Sequence, residues 1–126
     1  MFFVYPRYRT VAVLPNAFIR RRAIEPVTGT FRDIRTPKLL ESRLYKDKGF
    51  SVHYSLGESR GTRKVARVEH PLSGRCLEVF TTELGLQCYF SHEKIHDEIR
   101  GKGGVIYGCF SAFCLGPMHF PDSCNH

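Results

Sequence analysis

Histidine and cysteine side chains in the last third of the chain are the first candidates for chemistry. His92 and His96 are spaced i, i+4, so a helix would place both on one face as a pair of metal ligands. Further soft ligands follow at Cys109, Cys114, His119, Cys124 and His126. The first four of these residues are each separated by four intervening positions, which is not the C-x₂-C spacing typical of a zinc site. We therefore predict neither a metal nor any other cofactor.

Charged clusters are the second set of candidates. Glu93, Asp97 and Glu98 lie close together in the sequence, and we interpret them as a solvated face rather than an acid/base pair. The triplet Arg20-Arg21-Arg22 carries positive charge of the kind that binds phosphate or nucleic acid. It has no interleaved aromatic residues on which bases could stack, so we do not expect a nucleic-acid partner. Salt-sensitive binding to DNA or RNA would change that expectation.

The positive charge of the chain is unevenly distributed. Nineteen Lys and Arg against twelve Asp and Glu give a formal net charge of +7. Residues 1–22 contain five arginines and no acidic residue, whereas the remainder is nearly balanced. We predict a solvated basic segment here, although the same composition also fits a mitochondrial presequence.

Composition bounds the class of protein. The hydrophobic content of 42% and the aromatic content of 13% are typical of a globular chain. No run reaches the roughly 20 apolar residues that a membrane-spanning helix needs, so we predict no membrane association. Five cysteines, an odd number without framework spacing, favour a reducing compartment over a disulfide scaffold. The predicted location is the cytoplasm.

The middle of the chain carries the clearest periodic pattern. Alternation over Val65–His70 predicts a strand, and Pro71–Gly74 supplies turn residues. The β-branched and aromatic run Cys76–Thr82 predicts an antiparallel return strand, which completes a hairpin. Leu84–Tyr89 predicts a third strand, in which Gly85 marks a bulge or a close backbone approach.

Other elements are predicted with less regular patterns. Strands are expected over residues 10–14, 49–56, 105–107 and 111–115, a short helix over 37–44, a helical turn within 91–100 and a flexible glycine hinge over 101–104. Strands therefore dominate the prediction.

Three blocks of residues, in order, resemble one known family. The first is Val27–Thr30 with Asp33 and Arg35. The second is Ser73-Gly74-Arg75, Leu77-Glu78-Val79 and Thr81-Thr82, followed by Gly85, Gln87 and Tyr89; the third is Phe113-Cys114-Leu115 with Pro121, Asp122 and Asn125. This pattern is similar to the aldose 1-epimerase, or galactose mutarotase, family from about Ile24 to Asn125. The resemblance implies the later part of that family's large antiparallel β-sandwich.

The resemblance also implies roles for particular positions. Mutarotation needs a base at the anomeric hydroxyl and an acid at the ring oxygen. The family's catalytic base is a Glu, and it falls at Gly116, which has no side chain to titrate. The family's catalytic acid is a His, and it falls upstream of the part that this chain resembles. A sugar-binding Asp of the family falls at Ser51, and a sugar-contacting Gln falls at Gln87. An inward-facing Gln87 bonded to backbone is the alternative interpretation.

These inferences together give the expected protein. We expect an all-β, partial galactose-mutarotase-like antiparallel β-sandwich over residues 24–126, with at most one or two short helices, after a divergent basic segment at 1–23. Its expected function is aldose 1-epimerase-like carbohydrate binding, with galactose or glucose as a weak ligand and no catalysis. The alternative is a non-catalytic interaction or regulatory module that self-associates or pairs with a full-length relative through an exposed sheet edge.

Overall fold

The structure is a computed structural model, and it describes residues 10–12, 24–37, 50–58, 60–90, 100–108, 111–120 and 123. Seven strands lie in these ranges: β1 (Thr10–Ala12), β2 (Ile24–Pro26), β3 (Phe50–Ser55), β4 (Arg63–His70), β5 (Arg75–Thr81), β6 (Gly85–Phe90) and β7 (Phe113–Met118). The one helical element in the same ranges is a 3₁₀ turn, Lys102–Gly104. The prediction of an all-β chain is confirmed.

The strands form two antiparallel sheets. Five of them lie in the order β2-β1-β3-β6-β7, and β4 and β5 form a separate hairpin. The hairpin turns at Pro71–Gly74, where Gly74 takes a positive φ of 66° that a side chain would disfavour. The predicted hairpin is therefore confirmed. The next strand, β6, leaves the hairpin and pairs with β3 and β7 instead.

The hydrophobic core lies between the five-stranded sheet and the hairpin. Alternate residues of β3 and β6 point into it, and their buried members are Val52, Tyr54, Leu86, Cys88 and Phe90. From the hairpin side come Val65, Ala66 and Val68. The neighbours Val65 and Ala66 are both fully buried because a bulge interrupts the register of β4 between Lys64 and Ala66.

The segment after β2 is anchored over this core. Val27 and Ile34 are buried, and the Tyr54 hydroxyl donates a hydrogen bond of 2.8 Å to the Arg32 carbonyl. Asp33 and Arg35 form a two-pronged ion pair, with Nε to Oδ1 at 2.9 Å and Nη2 to Oδ2 at 2.7 Å. The residues of the first family-like block thus bond to one another, which gives them a structural role.

Several sequence-based elements need correction or lie outside the described residues. The last strand covers Phe113–Met118 rather than 111–115, and the expected strand at 105–107 is reduced to one bridge, Ile106 with Arg100. The expected hinge is a hydrogen-bonded turn, in which the Gly104 amide donates to the Gly101 carbonyl at 3.1 Å. The expected helix lies almost entirely outside the described residues, as does the helical turn within 91–100.

Two further sequence-based expectations concern a domain boundary and a membrane-spanning helix. The division at residue 23 stays a prediction, although β1, which precedes that point, pairs with β2 and β3 in the larger sheet. No helix in the described ranges is both long and apolar enough to cross a bilayer.

Candidate functional site

Strands β3, β6 and β7 bring the three predicted site positions onto one face of the larger sheet. His53 of β3 is the register partner of Gln87 of β6, and Gln87 is the register partner of Gly116 of β7. Side chains directly opposite each other in a sheet project from the same face, and so do residues two apart on a strand. Ser51 therefore shares this face with Gln87 and with the position of Gly116.

A side-chain hydrogen bond links two of these positions. The Gln87 Nε2 group donates to the Ser51 Oγ atom at 3.2 Å, with Ser51 exposed and Gln87 half-buried. The amide oxygen of Gln87 can still accept, and the Ser51 hydroxyl can still donate. A sugar hydroxyl is both donor and acceptor, so the pair has the chemistry to bind one. In the described part of the chain, the Gln87 amide bonds to a side chain rather than to backbone.

Gly116 leaves open space beside Gln87. A Cβ atom added at Gly116 would lie 3.9 Å from Met118 Cε and 4.0 Å from Gln87 Cβ, which is ordinary van der Waals contact. Its φ is not positive, so the backbone does not require glycine here. Pro117 follows on β7, an outer strand of the sheet, where a missing N–H is tolerated. Neither the backbone nor the space for a Cβ atom therefore requires glycine at position 116.

His53 is a member of this face that the sequence analysis did not select. Its side chain is fully buried, and its ring centroid lies 5.3 Å from that of Phe120. Gly85 makes room for it, since a Cβ there would overlap the imidazole. The same Cβ would also lie 2.9 Å from the Met118 carbonyl oxygen, so of the two expectations at Gly85, a bulge or a close backbone approach, the structure shows the close approach. That expectation was the signal that could have located His53. Of the two β3 residues that share this face with Gln87, His53 is therefore buried and Ser51 is exposed.

The soft side chains that were considered as candidate ligands do not gather in the described residues. His119 lies beyond the end of β7, and its Nδ1 atom is 2.5 Å from Glu83 Oε2. The His119 side chain is exposed and the Glu83 side chain is half-buried near the surface, so this pair is worth at most about 1 kcal/mol. In the ranges that the structure covers, no three His, Cys, Asp or Glu side chains are grouped to hold a metal ion. The other candidates, apart from Cys114, lie outside these ranges: His92, His96, Cys109, Cys124 and His126.

The cysteines of the described residues are free thiols. Cys76 and Cys114 are exposed, and Cys88 is buried in the core. Burial raises the pKa of the Cys88 thiol far above its ordinary value, because a thiolate would lose its hydration there. Cys88 is therefore a neutral packing residue.

Fold and site together define an antiparallel all-β protein that presents a hydroxyl-and-amide face suited to sugar hydroxyls. A comparison with protein families supplies the particular group: the model described as aldose 1-epimerase matches residues 8–126, and the chain belongs to the aldose 1-epimerase family.

Individual relatives agree with this assignment. The galactose mutarotase of Rattus norvegicus is 39% identical over 118 residues, which cover 90% of this chain and 34% of the relative. The galactose mutarotase of Homo sapiens is 36% identical over 104 residues, covering 81% of this chain and 30% of the relative. The chain spans about a third of the length of these curated relatives.

Proposed function

We propose that this chain is a carbohydrate-binding member of its family, with a hexose such as galactose or glucose as ligand and without mutarotase activity of its own. One observation carries the proposal: Gly116 is the register partner of Gln87. The position beside the proposed sugar-contacting amide therefore has no group that can take a proton. Ser51 and Gln87 supply the hydrogen bonds to the sugar, and no described residue is assigned as catalytic.

The chemistry of mutarotation explains why a missing base matters. Ring opening requires removal of a proton from the anomeric hydroxyl, and a positioned acid or base contributes roughly 10²- to 10⁴-fold in rate. Neither the Gln87 amide nor the Ser51 hydroxyl accepts a proton near neutral pH. Ser51 and Gln87 can hold a sugar hydroxyl, but neither they nor Gly116 carries the group that would start the reaction.

Sugar binding is tested by titrating D-galactose into the ¹⁵N-labelled chain. We expect saturable shifts of the Ser51, Gln87 and Gly116 amide signals. Gln87→Ala should weaken binding roughly 2- to 10-fold for one lost hydrogen bond, and Ser51→Ala should weaken it less. Ser111→Ala, at an exposed serine before β7, is the matched control and should leave the affinity unchanged. Linear, non-saturating shifts would reject the carbohydrate site.

A second candidate function rests on the outer strand of the hairpin. In the described residues β5 pairs with β4 alone, and Phe80 on it is 56% exposed. An unpaired strand edge beside an exposed aromatic side chain can accept a strand from another chain. We propose as the alternative that this edge self-associates or pairs with a full-length mutarotase. Sedimentation velocity should then show a complex that Phe80→Asp abolishes, and unchanged sedimentation on mixing would reject this function.

We propose the cytoplasm as the location. The free state of Cys76, Cys88 and Cys114 supports a reducing compartment, where thiols stay unpaired. Fractionation of cells that express the tagged chain tests this, and recovery in mitochondria would favour the presequence interpretation of residues 1–22. The expectation of no nucleic-acid partner stays a prediction, since Arg20–Arg22 lie outside the described residues.

A further inference from the structure

An open groove lies between the hairpin and the beginning of β7. Its volume is about 700 Å³, within the roughly 300–1,000 Å³ of small-molecule pockets. The groove is distinct from the candidate sugar face. Phe113, which lines it, is on β7 an odd number of residues from Gly116, so the two project from opposite faces of the sheet.

One half of the groove is apolar. Val68 and Leu77 are register partners on β4 and β5, so their side chains stand together on the face of the hairpin that lines the groove. Phe113 contributes an aromatic ring from the other sheet. Val68 is buried, whereas Leu77 is 46% exposed, so part of this apolar wall is in contact with solvent. A ligand with an aromatic or branched aliphatic part would bind more tightly by burying this apolar wall.

The other half of the groove is polar and carries the positive charge of Arg75, which the hairpin turn holds in place. His70 and Arg75 are the next register pair on the same face. Ser73 Oγ lies 2.7 Å from His70 Nδ1 and accepts a hydrogen bond of 2.9 Å from Arg75 Nε. The Arg75 guanidinium is thereby oriented through its inner nitrogen, and its two terminal amino groups remain for a planar oxyanion.

Arg75 differs from two other cations of the hairpin, Lys64 and Arg67, which have carboxylate partners. Lys64 and Arg67 both bond to Glu78 on the opposite face, and Arg67 also bonds to Glu69. For Arg75, no carboxylate lies within ion-pair distance in the part of the chain that the structure describes. A cation adjacent to an apolar wall, without a neutralising partner, is complementary to an amphipathic anion.

We propose that this groove binds a small organic oxyanion, a phosphate monoester or a carboxylate, with its charge on Arg75 and its apolar body against Val68, Leu77 and Phe113. Guanidinium binds both kinds of oxyanion through paired N–H groups. The proposal does not depend on the sugar-binding function, since it uses the other face of the sheet.

The test is an NMR titration of the full ¹⁵N-labelled chain with four probes: phenyl phosphate, benzoate, benzyl alcohol and inorganic phosphate. Phenyl phosphate or benzoate should shift the amide signals of the Pro71–Gly74 turn, Leu77 and Phe113 in a saturable way. Whichever of the two binds more tightly identifies the anionic group. Benzyl alcohol lacks the charge and inorganic phosphate lacks the body, so each should bind at least roughly tenfold more weakly.

Two variants locate the site. Arg75→Gln should weaken the tighter probe roughly tenfold, the cost of a charge-assisted hydrogen bond, and Leu77→Ala should weaken it several-fold through lost apolar contact. Arg60→Gln removes the same charge from the exposed loop before β4 and is the matched control. The same spectra show whether each variant is folded. Equal binding of benzyl alcohol, or undiminished binding by a folded Arg75→Gln variant, would overturn the proposal.

Discussion

Gly85 on β6 lies directly against the buried imidazole of His53 on β3. A Cβ at Gly85 would come within 2.8 Å of His53 Cε1 and 2.9 Å of the Met118 carbonyl oxygen. These distances are shorter than van der Waals contact allows, and the carbonyl belongs to backbone that cannot rotate away. Gly116 on the neighbouring strand has no such constraint. The two glycines lie on the same face of the sheet, but the space around the Cβ position requires glycine only at Gly85.

The first prediction is that Gly85→Ala destabilises the fold and Gly116→Ala does not. Overpacking at Gly85 should lower the free energy of unfolding by about 1–3 kcal/mol. Alanine at Gly116 should be neutral or should raise it by up to about 1 kcal/mol, because glycine in a strand costs conformational entropy. Urea unfolding of both variants measures the difference, and equal effects would show that His53 does not occupy the space at Gly85.

The second prediction concerns the segment that Tyr54 anchors. Tyr54→Phe removes the 2.8 Å hydrogen bond to the Arg32 carbonyl and should cost about 1–2 kcal/mol of unfolding free energy. Hydrogen exchange should increase in residues 27–37. Tyr107→Phe, at a half-exposed tyrosine outside the core, is the matched control and should change neither. If both variants behaved alike, the proposed anchoring would be wrong.

The third prediction is a pH dependence of the hairpin. Lys64 Nζ and Arg67 Nη1 each donate to Glu78 Oε1 at 3.0 Å, and these bonds hold the pKa of Glu78 below its ordinary 4.5. A carboxylate with a lowered pKa stabilises the folded state above pH 4.5, and this stabilisation is lost as pH falls through the lowered value. Lys64→Gln should raise the Glu78 pKa in a ¹³C carboxyl titration. Lys102→Gln should leave it unchanged, and an unchanged value in Lys64→Gln would contradict the assignment.

The fourth prediction is selective thiol reactivity. Exposed Cys76 and Cys114 should be alkylated by N-ethylmaleimide in the native chain, whereas Cys88 should react only after denaturation. Burial raises the Cys88 pKa and blocks access, and the thiolate is the reactive form. Peptide mapping by mass spectrometry measures this, and rapid native labelling of Cys88 would show that the core between the sheets is not closed.

Local patterns predicted the hairpin, but they did not predict where β6 goes. The turn residues Pro71–Gly74 and the alternating polar and apolar residues on both sides determine the pairing of β4 with β5, and all of them are close together in the sequence. One partner of β6 is β3, whose residues Phe50–Ser55 lie far upstream in the sequence, and this pairing buries Val52 and Cys88 on one face. Long-range pairing depends on the burial of the whole sheet, which short windows of sequence do not contain.

Only part of the candidate site could be predicted from the sequence, because the contacts that complete it are also long-range. Gln87 and Gly116 were selected by resemblance, and their register pairing required the structure. His53 was not selected, because burial of a polar ring follows from the absence of a side chain at Gly85 on another strand. The groove beside Arg75 was not predicted either, since its walls come from two sheets that meet only in the folded chain.

The central claim is most directly tested by polarimetry on freshly dissolved α-D-galactose with the purified chain. Because Gly116 offers no proton acceptor beside Gln87, the optical rotation should relax at the rate of buffer alone, at any protein concentration. Relaxation that accelerates in proportion to protein, and that Gln87→Ala abolishes, would contradict the claim and make this chain a mutarotase.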